Sequence, residues 1–150
     1  MFEAGYYFHC ARASVPRSFL EQGAGLGLVQ MPMTGLILEH PARGPILLDA
    51  PLGPEGPSNM GTVLGALSRL FGVSFRQEWA VGARIRQCGF ETTDVNDAVM
   101  THMHVDHTGG MATLPNCEFH VDQREWDFAS SITGGLQGLA VGYALADYED

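Results

Sequence analysis

The alternation of apolar and polar residues predicts a β-hairpin in the first third of the chain. Residues 35–40 (GLILEH) and 45–49 (PILLD) are short, mostly apolar runs, and residues 41–44 (PARG) between them contain the proline and glycine typical of a turn. Both runs are long enough for a strand and too short for a helix. We therefore expect two paired strands, followed by a loop over residues 50–58, which are rich in Pro and Gly.

Helical and extended patterns alternate further along the chain. Residues 59–71 carry apolar side chains at helical spacing, and Gly72 stands where a glycine commonly ends a helix. A second helix is predicted over residues 79–88, and short buried strands are predicted over residues 98–101 and 118–121. Strands that alternate with helices indicate an α/β fold in which the helices pack on a sheet.

A third helix is predicted after the last of these strands. Asp122 and Glu125 have the spacing of a capping box, in which each side chain accepts a hydrogen bond from the other residue's backbone N–H. The helix should run to about Ser130, and the glycine-rich end of the chain gives no clear pattern.

Composition limits the kinds of partner and the cell compartment. The 150 residues carry a net charge of −9, which disfavours nucleic acids and anionic membranes because both require a basic surface. The longest apolar runs are shorter than 18 residues, and the start of the chain lacks the pattern of a signal peptide. The three cysteines are widely spaced and form no CxxC pair, as is usual for reduced thiols in a cytoplasmic protein.

Candidate metal chemistry is concentrated in residues 101–110 (THMHVDHTGG), which contain three of the six histidines. In an extended chain His102 and His104 point the same way, while Asp106 and His107 follow as the chain turns. Imidazole and carboxylate groups are ligands for zinc, manganese and iron, and four such groups on one loop are enough to serve two adjacent ions. The alternative is a polar surface loop in which histidines happen to cluster.

Other residues near this segment have a predicted structural role. Gly109 and Gly110 allow a tight turn or a close approach of another segment. Met103 and Val105 alternate with the histidines and should point into the protein interior. His9 lies far from the motif in sequence and is expected to be a surface or packing residue, as is His40.

The motif His102-x-His104-x-Asp106-His107 resembles the signature of the metallo-β-lactamase superfamily. The resemblance extends over roughly residues 30 to 130 and is strongest to the lactonase-like branch. Three further segments are similar to the family: GLILEHPARGPILLDAP, GFETTDVNDAVMTH and NCEFHVDQREWDF. One departure is the sequence Asp49-Ala50-Pro51, where family members commonly have Asp-Thr-Gly.

The resemblance implies a fold and a set of site residues. The fold class is α/β, namely the first half of a metallo-β-lactamase αβ/βα sandwich, with a mixed sheet and flanking helices. His102 and His104 would bind a first metal ion, and Asp106 and His107 a second. Asp49 would be a buried carboxylate that braces the motif loop, as groups behind metal ligands often do. The alternative for Asp49 is a turn residue at the end of a strand.

The implied function is that of a metal-dependent hydrolase acting on a small ester, lactone or thioester. The cofactor would be zinc, with two ions in the complete protein, and manganese and iron are alternatives. Metal binding lowers the pKa of water, so that a metal-bound hydroxide becomes the nucleophile. Asp106 would be the catalytic residue, because it both binds metal and orients that nucleophile.

The chain resembles only part of this fold. The family pattern requires two more histidines and a bridging aspartate after the motif, and no histidine follows His120. His120 resembles a residue that is not a ligand in the family. We therefore expect residues 1–150 to form a single, incomplete domain that is impaired on its own, exposes an apolar face, and needs the missing C-terminal half or a second chain. The alternative is a truncated, non-catalytic metal-binding homologue or partner subunit.

Overall fold

The computed structural model describes residues 1–25, 27–56, 58 and 72–132. Within these residues six strands form one mixed sheet, in the order β4-β1-β2-β3-β5-β6. The strands are β1 (Ala4–Pro16), β2 (Leu28–His40), β3 (Gly44–Leu48), β4 (Ser74–Phe75), β5 (Asp97–Val99) and β6 (Glu118–His120). The helices are α1 (Val81–Gln87), α2 (Val105–Thr108) and α3 (Gln123–Ile132).

The predicted hairpin is formed by β2 and β3, which pair antiparallel with Leu38 opposite Ile46. The turn between them contains Gly44 in the left-handed region, at φ 76°, a conformation that glycine adopts at little cost. β2 begins at Leu28, seven residues before the predicted start, because residues 28–39 also pair with β1. The sequence therefore predicted this hairpin but underestimated the length of its first strand.

Strand β1 was not predicted. It pairs antiparallel with β2, and the register shifts between His9 and Ala11. Cys10 and Ala11 are consecutive and both fully buried, so the strict alternation of buried and exposed positions is broken there. A bulge of this kind places two residues opposite one and hides the twofold period on which strand prediction depends.

The core lies on the face of the sheet that α1 covers. Ile37 of β2, Leu47 of β3 and Ala98 of β5 are fully buried there, together with Val81 and Ile85 of the helix. Burial of one large aliphatic side chain contributes about 1.5–3 kcal/mol. The opposite face of the sheet also carries apolar residues, in a cross-strand row of Tyr7, Leu36, Leu48 and Val99. Tyr7 is 70% exposed and Val99 44%, in agreement with the predicted apolar face.

The remaining predicted elements differ mainly at their ends. α1 occupies the predicted second helix, and β5 ends two residues before the predicted strand end at Thr101. The predicted helix over residues 59–71 and the glycine-rich segment from residue 133 lie outside the described residues. Among the helices that the structure describes, none is long and apolar enough to cross a membrane.

Candidate metal centre

The site lies where two parallel strands end side by side. β3 and β5 run parallel, so their carboxyl ends meet at one edge of the sheet, and the backbone N–H of Asp49 donates to the carbonyl of Val99 at 3.0 Å. Asp49 has φ 59°, in the left-handed region that aspartate tolerates better than most residues. The first residues after each strand are therefore adjacent.

Asp49 is held at this edge by hydrogen bonds from the motif segment. Its Oδ1 atom accepts from the backbone N–H of Thr101 at 2.8 Å, and its Oδ2 atom lies 2.9 Å from Thr101 Oγ1 and 2.8 Å from His107 Nδ1. Burial alone would raise the pKa of Asp49, but the hydrogen bonds from His107 and Thr101 outweigh it and hold the pKa below its ordinary value. The predicted contact between Asp49 and the motif loop is present, and Thr101 is a contact residue that the sequence did not single out.

The Asp49 carboxylate also determines which histidine nitrogens are free. A carboxylate only accepts hydrogen bonds, so His107 must donate to it from Nδ1. The Thr101 hydroxyl likewise donates its single proton to Asp49, and can then only accept from His102 Nδ1, which lies 3.0 Å away. In their neutral state both histidines therefore carry the proton on Nδ1 and present the Nε2 lone pair, the form in which imidazole binds metal.

His102 and His104 converge as their spacing predicted. The Nε2 atom of His102 lies 3.0 Å from Nδ1 of His104, and the ring centroids of His102 and His107 are 3.9 Å apart. Burial lowers the pKa of His102 and that of His104, and for His102 the charges of the neighbouring histidines act in the same direction. Both rings are therefore favoured in the neutral state that a metal ligand requires. Met103 between them is buried, as expected.

Asp106 and His107 lie on the short helix α2, where the sequence predicted a loop. His104 precedes the helix, and the backbone N–H of Thr108 donates back to the His104 carbonyl at 3.1 Å. The helical turn brings His107 Nε2 to 3.6 Å from Asp106 Oδ2. Burial alone would lower the pKa of His107, but the hydrogen bond to Asp49 and the charge of Asp106 raise it above its ordinary value. Four helical residues are too few to give a periodic sequence signal.

Gly109 and Gly110 allow the close approach that the sequence suggested. A Cβ atom on Gly110 would lie 2.5 Å from Val81 Cγ1 and 3.1 Å from the carbonyl oxygen of Ala50. That carbonyl accepts a hydrogen bond from the N–H of Gly110 at 2.9 Å, and the N–H of Ala50 donates to the His107 carbonyl at 2.8 Å. These two hydrogen bonds hold the segment after β3 against the motif. They form although the segment has Ala50-Pro51 after Asp49, where proteins with a similar motif commonly have Thr-Gly.

His120 belongs to a different group of side chains. Its Nε2 atom lies 3.0 Å from Asp97 Oδ1, and ligand-type atoms of Asp97, Glu118 and His120 lie within 4.8 Å of one another. The second oxygen of Asp97 accepts from the Arg43 guanidinium at 3.1 Å. His120 is half exposed and occupies the same cross-strand row as Val99, away from the buried core face.

The motif residues fit a metal ion in both chemistry and spacing. Two nitrogen ligands of tetrahedral zinc, each about 2.0–2.1 Å from the ion, are about 3.3 Å apart. The facing nitrogens of His102 and His104 are separated by 3.0 Å, which is close to that value. The bond from His107 Nδ1 to Asp49 is the contact by which a carboxylate commonly orients a metal-binding histidine.

Comparisons with known proteins agree with the motif. No family model matches the sequence. The N-acyl homoserine lactonase AttM of Azorhizobium caulinodans is 26% identical over 130 residues, which are 87% of this chain and 48% of that protein. The probable metallo-hydrolase Rv2300c of Mycobacterium tuberculosis is 33% identical over 90 residues, which are 60% of this chain and 29% of that protein.

Solved structures show the same fold. An N-acyl homoserine lactone hydrolase with the product N-hexanoyl-L-homoserine bound at its catalytic metal centre matches with a TM-score of 0.73 and 22% identity. The match covers 91% of this chain and 54% of that one. The chain spans about half the length of the curated lactonases it matches. Together with the motif, these findings make the chain similar to lactonase-like proteins of the metallo-β-lactamase superfamily, and its fold matches the N-terminal portion of theirs.

Proposed function

We propose that the chain supplies the metal-binding half of a metal-dependent hydrolase that acts on a small ester, lactone or thioester. The observation that carries the proposal is the convergence of His102, His104 and His107 beside the buried Asp49 carboxylate. In this proposal His102 and His104 bind one metal ion, and Asp106 and His107 bind a second. Bringing so many imidazole and carboxylate groups together in a partly buried site costs free energy unless a bound ion interacts with them.

Zinc is the proposed metal, because neutral imidazole and carboxylate are its usual ligands in hydrolases. A bound zinc pair supplies Lewis acidity, polarising a substrate carbonyl and lowering the pKa of water towards about 7. Manganese and iron accept the same ligands and are the alternatives.

The chain's own residues have distinct roles in this proposal. Asp49 holds the proton of His107 on Nδ1 by accepting its hydrogen bond directly. It holds the proton of His102 on Nδ1 indirectly, through the hydroxyl of Thr101. Asp106, whose carboxylate lies 3.6 Å from His107 Nε2, is the proposed catalytic residue because its second oxygen is able to orient the attacking water. No serine or cysteine nucleophile is then required.

The proposed substrate class is a small lactone. The relatives at 26% identity carry the name N-acyl homoserine lactonase, and the net charge of −9 opposes binding of a polyanion such as nucleic acid. A neutral cyclic ester is not repelled by this charge. We place the protein in the cytoplasm, where its three free cysteines would stay reduced.

We propose that residues 1–150 form one incomplete domain and that the remaining metal ligands lie outside it. The row of Tyr7, Leu36, Leu48 and Val99 gives the sheet an apolar face, of which Tyr7 is 70% exposed. Exposed apolar faces of this kind mark surfaces that another protein segment covers. The occupant we propose is the C-terminal half of the same fold, and a second chain is the alternative.

The test compares metal content and hydrolysis for this chain and for the longest natural polypeptide that contains it. We expect both to bind zinc, and only the longer protein to open an N-acyl homoserine lactone efficiently, because catalytic zinc usually has three protein ligands. A phosphodiester tested alongside the lactone identifies the substrate class. Efficient turnover by the 150-residue chain as a monomer would contradict the incomplete site, whereas turnover only as a dimer would favour the second chain.

A further inference from the structure

The short segment between the two histidines is anchored by a residue from a distant element. The backbone N–H of Met103 donates to Glu125 Oε1 at 2.8 Å, across 22 residues of sequence. Met103 is 1% exposed, and it lies outside the helices and strands. A buried N–H in such a segment requires a specific acceptor, and a carboxylate is among the strongest available.

This hydrogen bond acts on the peptide unit that links His102 to Met103. Because a peptide unit is planar and rigid, fixing the Met103 N–H also fixes the direction in which the His102 backbone ends and the Met103 backbone begins, and His104 follows directly from Met103. The N–H of Thr101 is fixed on the other side by Asp49, at 2.8 Å. The segment that carries both ligands is thus held between two carboxylates, Asp49 and Glu125, which come from different parts of the fold.

The start of α3 places Glu125 at this point. Asp122 Oδ1 accepts from the backbone N–H of Arg124 at 2.9 Å, and a backbone hydrogen bond from Glu125 also reaches the Asp122 carboxylate. The Asp122 side chain therefore caps the helix by accepting from the Glu125 backbone N–H, as the predicted capping box requires. The Glu125 carboxylate reaches the motif segment, a contact that local sequence spacing does not reveal.

We propose that Glu125 is a positioning residue for the metal centre, which sets the spacing of His102 and His104 through the Met103 backbone. This inference depends on the proposed function, because it assumes that the two histidines share a metal ion. Groups that orient metal ligands typically change metal affinity by about 10- to 100-fold when they are removed. Since the contact is to a backbone N–H, an uncharged acceptor of the same shape should replace the carboxylate.

The experiment uses the full 150-residue chain with three substitutions: Glu125→Ala, Glu125→Gln and Asp127→Ala. Asp127 is an exposed carboxylate on the same helix and provides the matched control. Dissociation constants for Zn²⁺ and Co²⁺ are measured by competition with a chelator. Hydrogen exchange of the Met103 amide is measured in the metal-free chain, and circular dichroism reports on folding.

We expect Glu125→Ala to weaken binding of both ions by about 10-fold or more and to lose protection of the Met103 amide. Glu125→Gln should stay within about threefold of the wild type, because its amide oxygen still accepts the hydrogen bond, and Asp127→Ala should be unchanged. Equal affinity in folded Glu125→Ala, or equal losses in the Ala and Gln variants, would overturn the inference. A wild-type chain that binds neither ion, while its Met103 amide is protected, would overturn the proposed function instead.

Discussion

Replacing Asp49 by asparagine tests the hydrogen-bond network behind the histidines. Asparagine has the same shape and also tolerates the left-handed backbone, so the φ of 59° is preserved. Its Oδ1 atom can still accept from the Thr101 N–H, but an NH₂ group now faces His107 Nδ1. Two donors cannot pair, so His107 must move its proton to Nε2 or lose the contact. Moving the proton removes the Nε2 lone pair that would bind metal, and losing the contact leaves that lone pair without a fixed orientation.

The magnitude follows from the bond that is lost. The contact between His107 Nδ1 and Asp49 Oδ2 is 2.8 Å long, and the side chains are only 21% and 8% exposed, so solvent screens it little. Loss of one hydrogen bond to a charged group costs about 1.5–3 kcal/mol. For a domain of this size that corresponds to a fall in Tm of roughly 3 to 12 °C.

The assay combines urea unfolding of the metal-free chain, nitrogen-15 NMR of the His107 ring and titration with zinc. We expect lower stability, a proton on Nε2 and the loss of zinc binding at His107. Asp97→Asn is the matched control, because Asp97 likewise accepts a hydrogen bond from a histidine, and one from an arginine, but on the more exposed face of the sheet; it should destabilise the chain less than Asp49→Asn does. An Asp49→Asn chain with unchanged unfolding and an unchanged His107 proton would refute the reasoning.

Two further predictions concern packing and pH. Gly110→Ala should destabilise the chain by about 1–3 kcal/mol in urea unfolding, because the new Cβ would lie 2.5 Å from Val81 Cγ1; unchanged stability would show that this contact relaxes freely. Burial, with the charges of Arg84 and Arg12, lowers the pKa of His9, so the unfolded chain takes up a proton below about pH 6.5 before the folded chain does. As the pH is lowered below that value, the free energy of unfolding should therefore decrease. His9→Phe should make this decrease smaller, and identical pH profiles for the two chains would contradict the prediction.

The sequence predicted the parts of the fold that depend on local patterns. The hairpin of β2 and β3 followed from two apolar runs around a proline–glycine turn, and α1 and α3 followed from helical spacing and capping residues. Strand β1 escaped prediction because its bulge interrupts the alternation at Cys10 and Ala11. A bulge of this type does not alter the amino-acid composition of the strand, so the sequence gives no other sign of it.

Contacts within the site could be predicted between residues that are close in sequence, but not between residues that are far apart in sequence. His102 and His104 could be placed together because residues two apart in an extended chain face the same way. Thr101 could have been singled out as the residue between the strand and the motif, since a hydroxyl there can link a histidine to a carboxylate. Glu125 could not, because its contact with Met103 spans 22 residues and its spacing from Asp122 already fitted a capping box.

The proposed metal centre is tested most directly by the binding of Co²⁺ to the wild-type chain and to His104→Ala, followed by absorption spectroscopy and elemental analysis. Cobalt replaces zinc at such sites and reports its ligands through its visible spectrum. We expect the wild type to bind cobalt through the motif, His104→Ala to lose the spectrum and most of the metal, and His120→Ala to lose neither. A His104→Ala chain with wild-type metal content and spectrum would show that the four motif residues do not form a metal site.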